Sequence, residues 1–171
     1  DDEGNELPPG TIGEIAGYGA GIMAEYNNRA DLTAELIWQD GRGRSFIRSG
    51  DIGMLDEDGF LKIIDRKKDM IISGGFNVFP ADVEAIVGQH PDVMDVAVIG
   101  VPHPKWGESC LALVIPAKDV EANPSEILTG SNNQLAKTQR LIGVELRDGF
   151  PRNALGKVIK KDLREPYWSK S

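Results

Sequence analysis

The stretch IIDRKKDMIISGGFNVFPADVE, Ile63 to Glu84, decides how the rest of the chain is organised. It holds a cluster of two acids and three bases (DRKKD, 65–69), then a short apolar patch, then the pair Gly74-Gly75. Before this stretch the chain is rich in glycine and in short alternating segments, which is typical of β-structure. After it, helical patterns alternate with apolar runs. The junction between two differently built parts is therefore predicted inside this stretch.

The part that precedes the junction is predicted to be mainly β-structure. Residues 11–26 favour short twisted strands, and residues 30–43 favour a short helix capped by Asp31. Two apolar runs within residues 45–65 flank Asp58-Gly59, which is a strong signal for a hairpin turn.

The part that follows the junction is predicted to be a small α+β domain. Pro80 stands where a first helical turn accepts proline, and Pro166 is expected to end the last helix. Ser125 and either Asn132 or Asn133 are candidate caps for one or two further helices. The predicted order is a helix (PADVEAIVGQHP), two buried strands (DVAVIGV and SCLALVIPA), a region of one or two helices (PSEILTGSNNQLAKTQRLIGV, 124–144), a strand (VELRDGF) and a last helix (KVIKKDLREPYW).

Composition excludes several classes of function. The chain has 171 residues and a net charge of −8, which argues against nonspecific nucleic-acid binding because that needs a basic face. No apolar run approaches the roughly 20 residues of a membrane-spanning helix. His90 and His103 have no Cys, Asp or Glu at ligand spacing, so no metal site is expected.

The cysteine content predicts the cellular compartment, and the first residue predicts that the chain is a piece of a longer protein. One cysteine, Cys110, permits no internal disulfide, so a reducing compartment and a cytoplasmic location are expected. No signal peptide is recognisable and the sequence opens with Asp1, so we expect a piece of a longer protein.

Three short stretches carry candidate chemistry, although each alone is also compatible with an ordinary turn. SGDIG (49–53) sets an acid between glycines at a strand end, where a carboxylate can accept hydroxyl hydrogen bonds. SGGFNVFP (73–80) allows close approach to the backbone. PRNALGK (151–157) places a lysine on a glycine-bearing turn, where its ammonium can reach a phosphate or a carboxylate.

Taken in order, these motifs resemble the C-terminal part of an adenylate-forming enzyme. That superfamily includes acyl-CoA synthetases, luciferases and nonribosomal-peptide adenylation domains, and the chain is most similar to an acyl-CoA synthetase or fatty-acid–CoA ligase. The resemblance implies the β-rich end of a large N-terminal domain (1–66), a hinge (67–68) and a small mobile α+β domain (69–171). It is carried by GTIGEI, AEYNNRADLTAE, the run from RSGDIG through PKWGES, and LRDGFPRNALGKVIKKDLRE.

The resemblance also implies substrates and site residues. Such enzymes use ATP with Mg²⁺ and a carboxylic acid to make an acyl-adenylate, and then pass the acyl group to a thiol such as that of coenzyme A. By motif position, Asp51 would bind the ribose hydroxyls of ATP and Arg66 would contact ribose and phosphate. Lys157 would be the catalytic residue, lying between the substrate carboxylate and the α-phosphate.

The remaining roles implied by the resemblance concern movement and coenzyme A. Lys68 would be the hinge residue, and the charged DRKKD cluster would stay solvated around it. Ser73, Gly74 and Gly75 would line a passage for the pantetheine arm. Trp106 would stack on the adenine of coenzyme A, with packing under its own loop as the alternative.

The sequence leaves alternatives for the role of three basic residues and for the function. Arg152, Lys160 and Lys161 would meet coenzyme A phosphates or would form a solvated helix face. A nonribosomal-peptide-type adenylation domain and a noncatalytic interaction module are the alternative functions.

The family's phosphate-binding loop and acyl pocket lie in the N-terminal domain, so this chain alone is expected to be inactive and the acid is not identified. Its partners would be that N-terminal domain, the acid, ATP and coenzyme A, with no nucleic acid and no membrane span.

Overall fold

The computed structural model describes residues 1–169, and the last two residues of the predicted small domain, Lys170 and Ser171, lie outside them. The chain divides into two compact units, Asp1–Lys68 and a second unit that begins at Asp69. The class is α+β, as the sequence predicted.

The first unit is an antiparallel sheet built around one long central strand. Its elements are β1 (Gly13–Gly17), α1 (Ala30–Leu36), β2 (Ile37–Gln39), β3 (Ser45–Leu55) and β4 (Leu61–Arg66). Strand β1 pairs along one edge of β3, and the shorter β2 and β4 follow one another along the other edge. Because β3 and β4 are joined by a short turn, Asp51 inside β3 faces Arg66 at the end of β4 in the ladder.

The local predictions for this unit were partly correct. The hairpin at Asp58-Gly59 is confirmed, with Gly59 at a φ of +84° that suits glycine. A helix is present, but Asp31 is not its cap, since Arg29 occupies that position and forms an ion pair with Asp31 at 2.9 Å. The predicted helix also ends early, because Ile37–Gln39 pairs with β3 instead.

The second unit is a five-stranded sheet with helices on both faces. Its elements are β5 (Ile71–Ser73), β6 (Phe76–Val78), α2 (Pro80–Val87), β7 (Val93–His103), β8 (Gly107–Pro116), α3 (Pro124–Asn132), β9 (Leu141–Leu146) and α4 (Lys160–Trp168). The long hairpin β7–β8 forms its centre, and β9 pairs with β8 in parallel. The short β5–β6 hairpin joins at the start of β8, where Ser73 pairs with Gly107.

Two separate apolar clusters hold this sheet. Alternate residues of β8 point to opposite faces, so Cys110, Ala112 and Val114 are buried on one face and Leu111 and Leu113 on the other. The first face is covered by α2 and α3, and the second by Phe150 and the apolar side of α4. Burial on both faces explains why β7 and β8 read as continuous apolar runs.

The predicted roles of Ser125 as a helix cap and of Pro166 as a helix end were wrong. Asn123, not Ser125, caps α3, and its side chain accepts a hydrogen bond from the Ser125 N–H. Pro166 lies inside α4 and does not end it. The helix continues past the proline because Tyr167 packs on the sheet and the Trp168 indole N–H donates to the Gly100 carbonyl at 3.1 Å.

Candidate functional site

Asp51 and Arg66, the two residues assigned to the nucleotide, form an ion pair in the first unit. The Arg66 Nε lies 2.6 Å from Asp51 Oδ1, and the two side chains are 50% and 24% exposed. Adjacent strands place them opposite each other, since Asp51 pairs with Arg66 in the β3–β4 ladder. Gly50, at a φ of +73°, turns the backbone just before Asp51. A carboxylate has further lone pairs, so Asp51 can accept hydroxyl hydrogen bonds while it holds Arg66.

The charged cluster 65–69 contains no buried residue, and two of its bases form ion pairs. Lys67 Nζ lies 2.8 Å from Asp2 and 3.0 Å from Glu14, which also binds Arg48. Burial alone would raise the pKa of Glu14, but hydrogen bonds from Arg48 and Lys67 outweigh it and hold the pKa below its usual value. Arg66 and Lys67 are therefore tied to carboxylates of the first unit while they remain exposed or half-buried, and the part that this cluster plays in a hinge stays a prediction.

Lys68 lies in a 3₁₀ turn, Lys67–Asp69, at the boundary between the two units. The paired Arg66 and Lys67 precede it directly. Lys68 therefore follows two ion-paired residues directly, and its role as a hinge stays a prediction.

The residues assigned to coenzyme A meet at the β5–β6 turn of the second unit. The Gly74 N–H donates to the Trp106 carbonyl at 2.8 Å, and Gly74 and Gly75 both have positive φ, +59° and +84°. A Cβ on Gly74 would lie 2.9 Å from Trp106 Cε3, whereas one on Gly75 would meet open space. Gly74 is therefore required by the indole as well as by the turn, and Ser73 beneath it is buried.

Trp106 presents part of its ring to solvent at this turn. The indole is 46% exposed, and Lys105 Nζ lies 4.6 Å from its ring centroid. The His103 Nδ1 accepts hydrogen bonds from the N–H groups of Lys105 and Trp106, both at 3.2 Å, which fixes the loop. The ring thus packs on Gly74 and lies under the Lys105 ammonium while Trp106 stays partly exposed, and its stacking on coenzyme A stays a prediction.

Lys157 lies on a tight turn whose backbone is held from inside. The Asn153 Oδ1 accepts from the N–H groups of Leu155 and Lys157 at 3.0 and 2.9 Å. The Asn153 N–H also donates to the Lys157 carbonyl at 2.9 Å, and Gly156 has a φ of +79°. Within residues 1–169 the exposed Lys157 ammonium forms no ion pair, so an ordered backbone presents a free positive charge.

Two of the three bases considered for coenzyme A phosphates are already paired. Arg152 binds Asp95 and the Gly156 carbonyl, which the sequence did not reveal because Asp95 lies on a distant strand. Lys160 lies 2.7 Å from Glu84 Oε1, and the same oxygen accepts the Val98 N–H. Lys161 is exposed and, unlike the other two, carries no ion pair in the described part of the chain.

Cys110 is buried under α2 and α3 and is unsuited to chemistry. Burial, together with the nearby Glu108 carboxylate, raises the pKa of its thiol to about 12. Residues 1–169 contain no group of three His, Cys, Asp or Glu side chains that could hold a metal ion. No helix among them is long and apolar enough to cross a membrane.

Cys110 is expected to resist alkylation in the native protein. A pKa near 12 in place of 9.0 lowers the thiolate fraction at pH 8 about 1000-fold, and burial also blocks access. Iodoacetamide labelling followed by mass spectrometry should show no modification at pH 8, and full modification in denaturant. Labelling of the native protein at the rate of the denatured one would contradict this structure of the core.

Comparisons with known proteins place these features in a wider group. Residues 82–157 match the family model described as the AMP-binding enzyme C-terminal domain. The chain is 41% identical over 167 residues to a long-chain-fatty-acid–CoA ligase of Escherichia coli O6:H1, covering 96% of this chain and 28% of that protein. It is 39% identical over 171 residues to ScoC of Streptomyces coeruleorubidus, a fatty acid–[acyl-carrier-protein] ligase, of which it covers 32%.

The fold is also similar to solved structures. The crystal structure of ATP-bound MatB from Rhodopseudomonas palustris superposes with a TM-score of 0.84 at 38% identity, over 94% of this chain and 31% of that one. The apo form of MatB gives a TM-score of 0.61 over the same shares. The chain therefore spans 28 to 32% of the length of these relatives.

Proposed function

This chain belongs to the AMP-binding enzyme family, and we propose on that basis that its full-length protein is an ATP-dependent acid–thiol ligase. In the first half-reaction a carboxylate oxygen attacks the α-phosphorus of ATP, and pyrophosphate leaves. In the second, a thiol attacks the acyl carbon of the adenylate and AMP leaves. The remainder of the protein supplies the acyl pocket, so residues 1–171 alone would not turn over.

The observation that carries this proposal is the free ammonium of Lys157 on its internally fixed turn. Adenylation brings two anions together, the carboxylate and the α-phosphate. A cation between them offsets their repulsion and stabilises the charge that develops in the transition state. A preorganised turn presents that cation without a cost of ordering at the moment of reaction.

The Asp51–Arg66 pair supports a role in holding the nucleotide. The carboxylate of Asp51 suits ribose hydroxyls, and the guanidinium of Arg66, half exposed, suits a phosphate oxygen. Mg²⁺ enters this proposal with ATP, because the phosphates supply oxygen ligands and residues 1–169 form no metal cluster of their own.

The proposal includes two conformations of the small domain, one for each half-reaction. The two MatB structures support it, since one chain superposes on them with TM-scores of 0.84 and 0.61, so this region of MatB differs between them. Lys68 is the proposed hinge, because Arg66 and Lys67 before it are held by carboxylates.

Coenzyme A is the proposed thiol, bound where Trp106 and Gly75 meet solvent. Stacking of a base on an exposed aromatic ring is worth about 1–3 kcal/mol, and Trp106 is 46% exposed, with the mobile side chain of Lys105 over its ring. A carrier-protein thiol is the second candidate, because all 171 residues of this chain match ScoC, a fatty acid–[acyl-carrier-protein] ligase. The cytoplasm is the proposed location.

The test of this function is acid-dependent exchange of labelled pyrophosphate into ATP by the full-length protein. A panel of aryl, medium-chain and long-chain acids should include at least one that drives exchange. Adding coenzyme A or a pantetheinylated carrier protein should then release AMP and give the thioester of the true acceptor. Absence of exchange with every acid would contradict the proposal, and AMP release without a thioester would exclude the thiol step.

Asp51→Asn is expected to raise the KM for ATP about tenfold, corresponding to about 1.4 kcal/mol. The amide keeps the shape of the side chain but loses the charge that holds Arg66 and accepts the ribose hydroxyls. Steady-state pyrophosphate exchange at varied ATP measures this effect. Asp58→Asn, an exposed site in the turn of the same hairpin, is the matched control and should leave the KM unchanged. An unchanged KM in Asp51→Asn would remove this residue from the nucleotide site.

A further inference from the structure

Arg152 joins the Lys157 turn to the central sheet of the second unit. Its guanidinium binds Asp95 Oδ2, and its Nη1 donates to the Gly156 carbonyl at 2.7 Å. Asp95 lies on β7, and its Oδ1 accepts the Val96 N–H at 2.8 Å, which fixes the carboxylate. One side chain thus links a rigid strand to the peptide group immediately before Lys157.

The rest of the turn depends on this link for its orientation. The bonds made by Asn153 fix the internal shape of the turn but do not attach it to the sheet. The Ile159 N–H donates to the Pro151 carbonyl at 2.8 Å and closes the base of the turn, whereas Arg152 joins the Gly156 carbonyl near the tip to Asp95 on β7. Without the guanidinium, the turn would pivot as a unit about its base.

We propose that Arg152 is a positioning residue for Lys157, holding the lysine turn in the direction that adenylation requires through simultaneous contacts with Asp95 and the Gly156 carbonyl. This inference rests on the proposed function of Lys157. It also assigns Arg152 away from coenzyme A, because the two groups that it binds belong to its own domain.

The geometry calls for arginine in particular. A guanidinium has donors in a fixed fork and can bind a carboxylate and a carbonyl together. A lysine at this position would supply one charge on a flexible stem, so it would retain the ion pair or the carbonyl contact but not a fixed combination of both. The pair is also 44% and 35% exposed, so it contributes little to the stability of the domain and a loss of activity would not reflect unfolding.

The experiment compares Arg152→Gln, Arg152→Lys and Asp95→Asn in the full-length protein. Arg152→Gln should slow acyl-adenylate formation about 10- to 100-fold through misplacement of Lys157, with the KM for ATP unchanged. Arg152→Lys should recover only part of the rate, and Asp95→Asn should lose less than Arg152→Gln because the carbonyl contact survives. Thioester formation from preformed acyl-adenylate and the melting temperature should change little in all three variants.

Arg147→Gln is the matched control. Arg147 is an ion-paired arginine of the same unit, 36% exposed and 2.7 Å from Glu145, but it does not touch the lysine turn. Its substitution should leave adenylation unchanged.

Two outcomes would overturn the inference. If Arg152→Gln slowed both half-reactions equally and lowered the melting temperature, the residue would be structural. If it raised the KM for coenzyme A and spared adenylation, Arg152 would be a ligand of coenzyme A. A wild-type enzyme that makes no adenylate, or a Lys157→Ala variant that still makes it, would instead contradict the proposed function, so failure of that proposal is distinguishable from failure of the role of Arg152.

Discussion

Lys157→Ala is expected to slow acyl-adenylate formation by at least about 100-fold, as does the loss of one preorganised group that stabilises developing charge. The ammonium is exposed and unpaired within residues 1–169, so its removal breaks no contact of the folded domain. The backbone bonds to Asn153 involve the main chain of Lys157 and survive the substitution. The effect should therefore appear in the rate of adenylation, with the melting temperature unchanged.

Pyrophosphate exchange at saturating ATP and acid measures this loss. Lys118→Ala is the control, since Lys118 is an exposed lysine of the same unit in a loop that precedes α3. It should exchange at the wild-type rate. If both alanine variants lost activity alike, the cause would be a change in overall charge; if neither did, Lys157 would be a surface lysine.

Lys68→Pro is expected to slow one half-reaction by at least about tenfold, corresponding to about 1.4 kcal/mol in the barrier, and to spare the other. Proline fixes φ near −65°, a value typical of the 3₁₀ turn that Lys67–Asp69 forms. The substitution therefore favours conformations that keep this turn and hinders those that need another φ. Because the proposed hinge takes different dihedrals in the two conformations, the losses should be unequal.

Lys68→Ala distinguishes the backbone from the side chain at the same position. Alanine removes the ammonium but leaves φ and ψ free, so both half-reactions should stay within about twofold of wild type. Rapid-quench measurement of adenylate formation and of thioester formation covers all three proteins. Equal, modest losses in the proline and alanine variants would place the hinge elsewhere.

Features set by local chemistry were the ones that the sequence predicted well. Asp58-Gly59 specifies its hairpin because the turn needs positive φ, and Pro80 suits a first helical turn. The two long apolar runs became β7 and β8 because each of their faces is buried. In each case the residues that decide the structure are neighbours along the chain.

Features set by long-range contacts were missed. Pro166 does not end α4, because packing of Tyr167 on the sheet outweighs the lost backbone bond. The charges at 65–69 give no sign of the ion pairs that Lys67 forms with Asp2 and Glu14. Such partners can be identified only once the strands are arranged in space.

In the candidate site, too, local motifs were predictable from the sequence, whereas contacts between distant residues were not. Motif position identified Asp51 and Arg66 separately, and the β3–β4 register then brought them to 2.6 Å. From the sequence, Arg152 was expected to meet coenzyme A phosphates or to lie on a solvated helix face, since no local pattern indicates its pairing with Asp95. For Gly74 the sequence indicated close approach of a ligand, whereas the contact seen is the indole of Trp106.

The most direct test of two alternating conformations is thioester formation by Lys157→Ala from a chemically synthesised acyl-adenylate. This reaction bypasses ATP, so it reports only on the conformation in which the thiol attacks. If Lys157 acts in adenylation alone, a single-turnover measurement with coenzyme A should give a rate within about twofold of wild type, beside a loss of at least about 100-fold in adenylation. An equal loss in both half-reactions would contradict the division of labour between the two conformations.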